Sequence, residues 1–178
     1  GQLDYFLLRP IESYLKPIAE TWKSLLFLLP NDDLYNATFP IIRTPSKNYT
    51  VMDYEELFRD TNHENMIPAY HRVKNLTKAM AAPGVEVHCM FSYYGSHGNT
   101  DYYYEFLSNT SFPNGAMKIV YEDGDGTINL ESARACLQWK FQQAQPVHEK
   151  AFYLVEHSAL LYDKNLFKYM QELLFKQA

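Results

Sequence analysis

The pattern of the chain changes at Pro83-Gly84, and that change constrains the fold more than any other feature. Downstream, three short apolar runs stand apart: Val85–Phe91, Met117–Tyr121 and Ala151–Val155. Such runs predict strands. Asn129–Phe141 and Asp163–Phe175 carry helical spacing instead, the second with Leu166, Tyr169, Met170 and Leu173 on one face. Strands alternating with helices point to an α/β chain of parallel βαβ units. In such sheets the functional loops sit at the carboxyl ends of the strands.

Upstream the reading is helix and loop. Ile11, Tyr14, Leu15, Ile18 and Trp22 recur at helical spacing, punctuated by Pro10 and Pro17. Residues 24–30 are apolar on every face and read as a buried element, or else as a lipid-facing lid. Residues 31–48 read as loop, with Pro40 and Pro45. Asp53–Asp60 and Asn62–Ala82 read as helices. The expected division is 1–82, cap or lid helices and loops, and 83–178, an α/β segment. Trp22 and Trp139 are expected in packing roles.

With 178 residues, 47% of them hydrophobic, the chain can bury a core. Its net charge is −5 and it has no basic run, which argues against nucleic-acid binding through phosphate neutralisation. No apolar stretch approaches the about 20 residues of a membrane span. The chain opens on Gly1, with no basic start leading into an apolar run, and so reads as a processed piece of a longer precursor. Four Asn-x-Ser/Thr sequons, at Asn36, Asn48, Asn75 and Asn109, point to a glycoprotein of the secretory pathway. Two cysteines, Cys89 and Cys136, are expected as one disulfide. It would close a loop of about 48 residues, about 4 kcal/mol in the chain-entropy model. The alternatives are a nucleophilic cysteine, which lacks an adjacent oriented His, and structural zinc, which needs about four ligands.

Two loops fall at strand ends. One carries Asp125 in Glu122-Asp-Gly-Asp-Gly-Thr127; the other carries His157 in Val155-Glu-His157. Asp followed by His near the chain end is the order found in Ser…Asp…His hydrolases. A carboxylate on the imidazole fixes its tautomer and stabilises the imidazolium formed when it takes a serine proton. The competing readings are a structural Asp-rich turn and a calcium loop, but the terminal Glu of an EF-hand is out of place at Glu131. His63, His71, His88, His97 and His148 have no metal-ligand spacing. The Tyr102-Tyr103-Tyr104 run, with Phe106, reads as a screened loop or core strand, or as the lining of an acyl pocket.

Glu122-Asp-Gly-Asp-Gly-Thr-Ile-Asn-Leu130, with Cys136 and Trp139 after it, resembles the acid-loop region of the lecithin:cholesterol acyltransferase family, whose lysosomal phospholipase/acyltransferase members share the Asp-Gly-Asp-Gly-Thr form. Ala82-Pro-Gly-Val-Glu-Val-x-Cys89, Thr44-Pro-Ser-x-Asn-Tyr-Thr50 and Val155-Glu-His157 resemble the same family, in the same order, from about Arg43 onward. The resemblance implies the C-terminal part of an α/β-hydrolase with part of its cap. It implies Asp125 as the triad acid, Asp123 as a loop-structuring residue, His157 as the general base, and Cys89–Cys136 as a disulfide tying strand 85–91 to the helix after the acid loop.

The nucleophile is missing. No Gly-x-Ser-x-Gly occurs, and Ser96, in Tyr94-Gly-Ser-His-Gly98, lacks one Gly of the elbow, with Tyr94 in its place. The chain is therefore expected to need an N-terminal companion from the same precursor, bringing the serine and oxyanion hole. The implied activity is phospholipid acyl-ester cleavage with transfer to water or a lipid alcohol, at a membrane or lipoprotein surface, in a secreted or lysosomal setting. No metal or organic cofactor is implied. The alternative is a catalytically silent lipid-binding or interaction protein of the same fold.

Overall fold

The computed structural model of the protein describes residues 18–76, 81–95 and 98–175. It is a mixed α/β chain in two compact units. One comprises residues 18–37 and 51–76 among those described, the other 38–50, 81–95 and 98–175.

The first unit is helical. A 3-10 segment, Lys23–Leu28, is followed by α1 (Tyr54–Asp60), a 3-10 turn at Glu64–Met66, and α2 (Ile67–Val73). Glu55 and Glu56 open α1 and Arg59 closes it, each charge complementing the helix dipole. Asn62 then takes φ 61°, and the His63 N–H donates to Phe58 O, which ends the helix in a left-handed cap. Leu26, Met66 and Ala69 form the core, with Phe58, Tyr70 and Val73 against them. The Tyr54 hydroxyl donates to Pro30 O at 2.8 Å, and burial pushes its phenol pKa up. The apolar run at 24–30 departs from the buried reading. Leu26 is buried, but Leu25, Phe27 and Leu28 are exposed, as is Trp22, which was expected to pack. The single helix expected over 62–82 is also broken, into the 3-10 turn and α2; 77–80 lie outside the described residues, as does the N-terminal helix reading over 1–17.

The second unit holds two sheets. One has the order β2-β1-β4-β5, from β1 (Pro40–Arg43), β2 (Asn48–Thr50), β4 (Thr100–Glu105) and β5 (Lys118–Glu122). The other pairs β3 (Val87–Tyr93) with β6 (Val147–Tyr153), parallel and in register from Val87↔Val147 to Tyr93↔Tyr153. The three expected strands are therefore present as β3, β5 and β6, but only β3 and β6 form the expected parallel pair. β5 instead runs antiparallel to β4 in the other sheet.

Residues 40–43 and 48–50, read as loop and loop edge, are strands. Thr44 closes their hairpin: its Oγ accepts the Lys47 N–H at 3.0 Å and its N–H donates to Lys47 O at 2.8 Å. The tyrosine run is β4. Tyr102 packs on Phe39 at 4.6 Å between ring centres, and the Arg43 guanidinium lies over Tyr103 at 4.3 Å. The helix expected over 129–141 tightens after one turn: α3 (Leu130–Ala133), capped by the Asn129 side chain, gives way to 3-10 structure over Ala135–Phe141. Within that segment Cys136 is disulfide-bonded to Cys89 of β3. The last helix, α4 (Lys164–Phe175), starts on Asp163, whose carboxylate accepts the N–H groups of Asn165 and Leu166. Of its expected inner face, Leu166 is buried and Met170 is exposed.

Candidate active site

Three loops meet where β3, β5 and β6 end, although the strands belong to two sheets. Asp123 joins the first two. Its Oδ1 accepts the N–H groups of Tyr94 at 3.1 Å, Gly95 at 2.8 Å and its own neighbour Gly124 at 2.8 Å. The loop after β3 is thereby stitched to the loop after β5. Gly124 needs to be glycine because the chain folds back on itself there: a Cβ would collide with Ile128 O and Thr100 Oγ1. Gly126 takes φ 92°, and its N–H donates to the buried Thr100 hydroxyl at 2.9 Å.

This tight loop aims Asp125. Its Oδ1 accepts the N–H groups of Thr127 at 3.0 Å and Ile128 at 2.8 Å. Its Oδ2 lies 2.8 Å from His157 Nδ1. A carboxylate only accepts, so Nδ1 carries the proton and Nε2 presents its lone pair. The carboxylate is 7% exposed and the imidazole 47% exposed. His157 is held by its backbone too, since its N–H donates to Asp125 O at 2.9 Å. Asp125 and His157 therefore share a side-chain and a main-chain bond.

The approach to His157 is strained. Leu154 adopts φ 59°, a left-handed conformation costing about 1–2 kcal/mol for an L-residue with a side chain. Its N–H donates to Tyr93 O at 2.8 Å, which keeps the turn in place. Beyond His157, Glu156 accepts the Ser158 hydroxyl at 2.8 Å and the Ala159 N–H at 3.2 Å. The Ser158 hydrogen bond, with help from the Ala159 N–H and the imidazole, holds the Glu156 carboxyl below its usual pKa.

Glu122, at the end of β5, behaves oppositely. Burial, reinforced by the carboxylates of Glu131 and Asp123, pushes its pKa up to about 7. One of its carboxyl oxygens is buried with no hydrogen-bond partner among the described residues. The folded state favours the neutral form. The stabilisation is therefore full below the unfolded value near 4.5 and is lost as pH rises through about 7. Glu122→Gln should remove that dependence. Against the variant, the wild type should lose about 1 kcal/mol between about pH 4.5 and 7.5, a figure reduced for partial solvent access. Urea titrations at both pH values would measure it, and identical pH slopes would show that another group is responsible.

Backbone N–H groups occupy Asp123 Oδ1 and Asp125 Oδ1, the pattern of an Asp-rich structural turn. His63 and His71 pair with Glu20 and Glu55. Ser96 and His97 lie outside the described residues. The sequon residues Asn36, Asn48, Asn75 and Asn109 are all exposed. One grouping departs from the reading of the histidines as isolated: Glu86, His88 and His148 converge. The signal for it is the pairing of His88 with His148 across two strands, which spacing along the chain does not reveal.

Residues 32–164 match the family model of lecithin:cholesterol acyltransferase. The lysosomal phospholipase A and acyltransferase of Mus musculus is 33% identical over 153 residues, covering 86% of this chain and 36% of that protein. The protein of the same name from Homo sapiens is 32% identical over 151 residues, covering 85% and 35%. The phosphatidylcholine-sterol acyltransferase of Mus musculus is 30% identical over 148 residues, covering 83% and 33%. The chain thus spans little more than a third of the length of these curated relatives. With the match running through the acid loop, the disulfide pair and the His157 segment, the chain belongs to the lecithin:cholesterol acyltransferase family.

Proposed function

We propose that this chain is the C-terminal portion of an α/β-hydrolase and supplies the acid and base of a Ser–Asp–His triad for a phospholipase and acyltransferase. The observation that carries the reading is the 2.8 Å contact between His157 Nδ1 and the buried Asp125 carboxylate, with the imidazole half exposed. His157 Nε2 takes the proton of a serine hydroxyl as the serine oxygen attacks the acyl carbonyl of a glycerophospholipid. The same proton then goes to the departing lysolipid oxygen, leaving an acyl-serine. Water or a lipid alcohol next gives its proton to His157 and takes the acyl group, and His157 returns that proton to the departing serine oxygen. Asp125 keeps Nδ1 protonated and offsets the positive charge on the ring.

The serine and the oxyanion-hole donors come from an N-terminal companion chain of the same precursor. The surface supports this. Among the described residues β3 and β6 pair only with each other, and two-stranded sheets are marginal alone. Leu154, Leu161, Tyr162, Phe167, Leu174 and Phe175 in the same unit are exposed apolar side chains that a companion would cover. In the other unit, Trp22, Leu25, Phe27 and Leu28 are exposed along one short segment, the composition of a contact with a membrane or lipoprotein surface. The relatives named for the lysosome and the four exposed sequons support a lysosomal or secreted setting.

A fluorophosphonate probe on the native protein, read by intact mass with and without reduction, tests the reading. A co-purifying chain that takes the label is the expected result. A solitary chain, or an unlabelled companion beside a labelled control hydrolase, favours the lipid-binding alternative.

A further inference from the structure

We propose that Glu86, His88 and His148 form an open, three-ligand zinc-binding site where β3 and β6 begin. The strand register builds it. His88 pairs with His148 across the parallel strands, with ring centres 4.7 Å apart and planes inclined by 17°; the exposed His148 ring turns so that both Nε2 lone pairs, which lie in the ring planes, meet one ion. Glu86 immediately precedes β3, and its carboxylate reaches both imidazoles. Glu86 Oε1 lies 2.8 Å from His148 Nε2 and 3.5 Å from His88 Nε2. Three ligand atoms thus fall within 4.8 Å of one another.

The donor set selects the ion. Two imidazoles and one carboxylate suit zinc; calcium and magnesium take oxygen. Tetrahedral bonds of 2.0–2.1 Å put ligand atoms about 3.3–3.4 Å apart. The 3.5 Å separation fits, and the shorter one opens by about half an ångström. The two side chains that move are free to do so, with Glu86 52% and His148 46% exposed. His88 is better held, at 21% exposed, with Nδ1 2.8 Å from the Tyr169 hydroxyl of α4. When Nδ1–H donates to that hydroxyl, Nε2 has its lone pair turned toward the Glu86 carboxylate, another acceptor. A cation between them resolves that arrangement. Tyr169 is then the outer partner that fixes the imidazole. Water fills the fourth position. The site lies at the start of both strands, whereas Asp125 and His157 lie in loops beyond strand ends.

The test is zinc binding by the native protein, with any companion chain that co-purifies, after chelator stripping and by calorimetric titration. The probe is Zn²⁺ alone, and circular dichroism confirms the fold of each variant. We expect His148→Gln and Glu86→Gln each to remove one equivalent of bound zinc or weaken it by at least about tenfold, and Tyr169→Phe to weaken it by about tenfold. His157→Ala should leave that equivalent in place. The proposal is overturned if neither His148→Gln nor Glu86→Gln changes zinc uptake, or if the equivalent disappears only with His157→Ala, which would assign the ion to the Asp125–His157 pair.

Discussion

His157→Ala should lower acyl-ester cleavage by the assembled enzyme by about 10⁴- to 10⁶-fold, the range seen when a serine hydrolase loses its base. The loss should fall on kcat more than on KM, because the imidazole acts on the proton in flight and not on the lipid. Fluorophosphonate labelling of the companion serine should fall with it. Half-exposed, the ring contributes little to the core, but its removal leaves the Asp125 Oδ2 without its imidazole partner. That costs about 1–3 kcal/mol, so thermal unfolding belongs beside the rate measurement. Added imidazole gives a sharper test. A folded His157→Ala protein that regains part of its activity with imidazole has lost a base. If cleavage persists near the wild-type rate, His157 is not the base and the triad reading fails.

Asp125→Asn should be nearly as damaging, about 10⁴-fold in kcat, while leaving the loop intact. The asymmetry follows from which oxygen does what. Oδ1 accepts the Thr127 and Ile128 N–H groups, and an amide oxygen can replace it there. With that oxygen committed, the amide nitrogen takes the place of Oδ2 and presents N–H to His157 Nδ1. Nδ1 must then accept, the ring proton moves to Nε2, and the lone pair that receives the serine proton is gone. The variant should therefore unfold close to wild type yet turn over poorly, and NMR of the imidazole should show the opposite tautomer. Asp125→Ala, by contrast, should lose stability as well, because both N–H groups are left without their acceptor. Equal activity in the Asn variant and the wild type would reduce Asp125 to a turn former.

The tight loop that carries Asp125 is legible in the sequence because loop chemistry is local. Gly124 and Gly126 mark a tight turn, and the Asp-Gly-Asp-Gly-Thr run declares itself whatever the strands around it do. β3 and α4 are legible because their periodicity extends over enough residues, whereas the strand expected over 151–155 meets β6 only at 151–153, with Leu154 already turning left-handed. The sheet partners are not legible. β5 follows β3 in the reading of alternating strands and helices, but Thr100–Glu105 intervenes as a strand and takes β5 as an antiparallel neighbour. β1 and β2 are only four and three residues long, too short for any alternation, and lie among prolines and turn formers. The Glu86–His88–His148 group is hidden more deeply, since it exists only through the register of two strands about 60 positions apart. The exposed run near Leu28 fails for another reason. Hydrophobicity signals a wish to leave water without saying whether protein or lipid provides the refuge.

The main-chain bond from the His157 N–H to Asp125 O bears on timing. A pair of catalytic groups on independent loops would have to find each other in every cycle, giving up conformational freedom each time. Here the search is over when the chain folds, and thermal wandering of one loop carries the other along. What then remains to be brought into register at each turnover is a single hydroxyl oxygen.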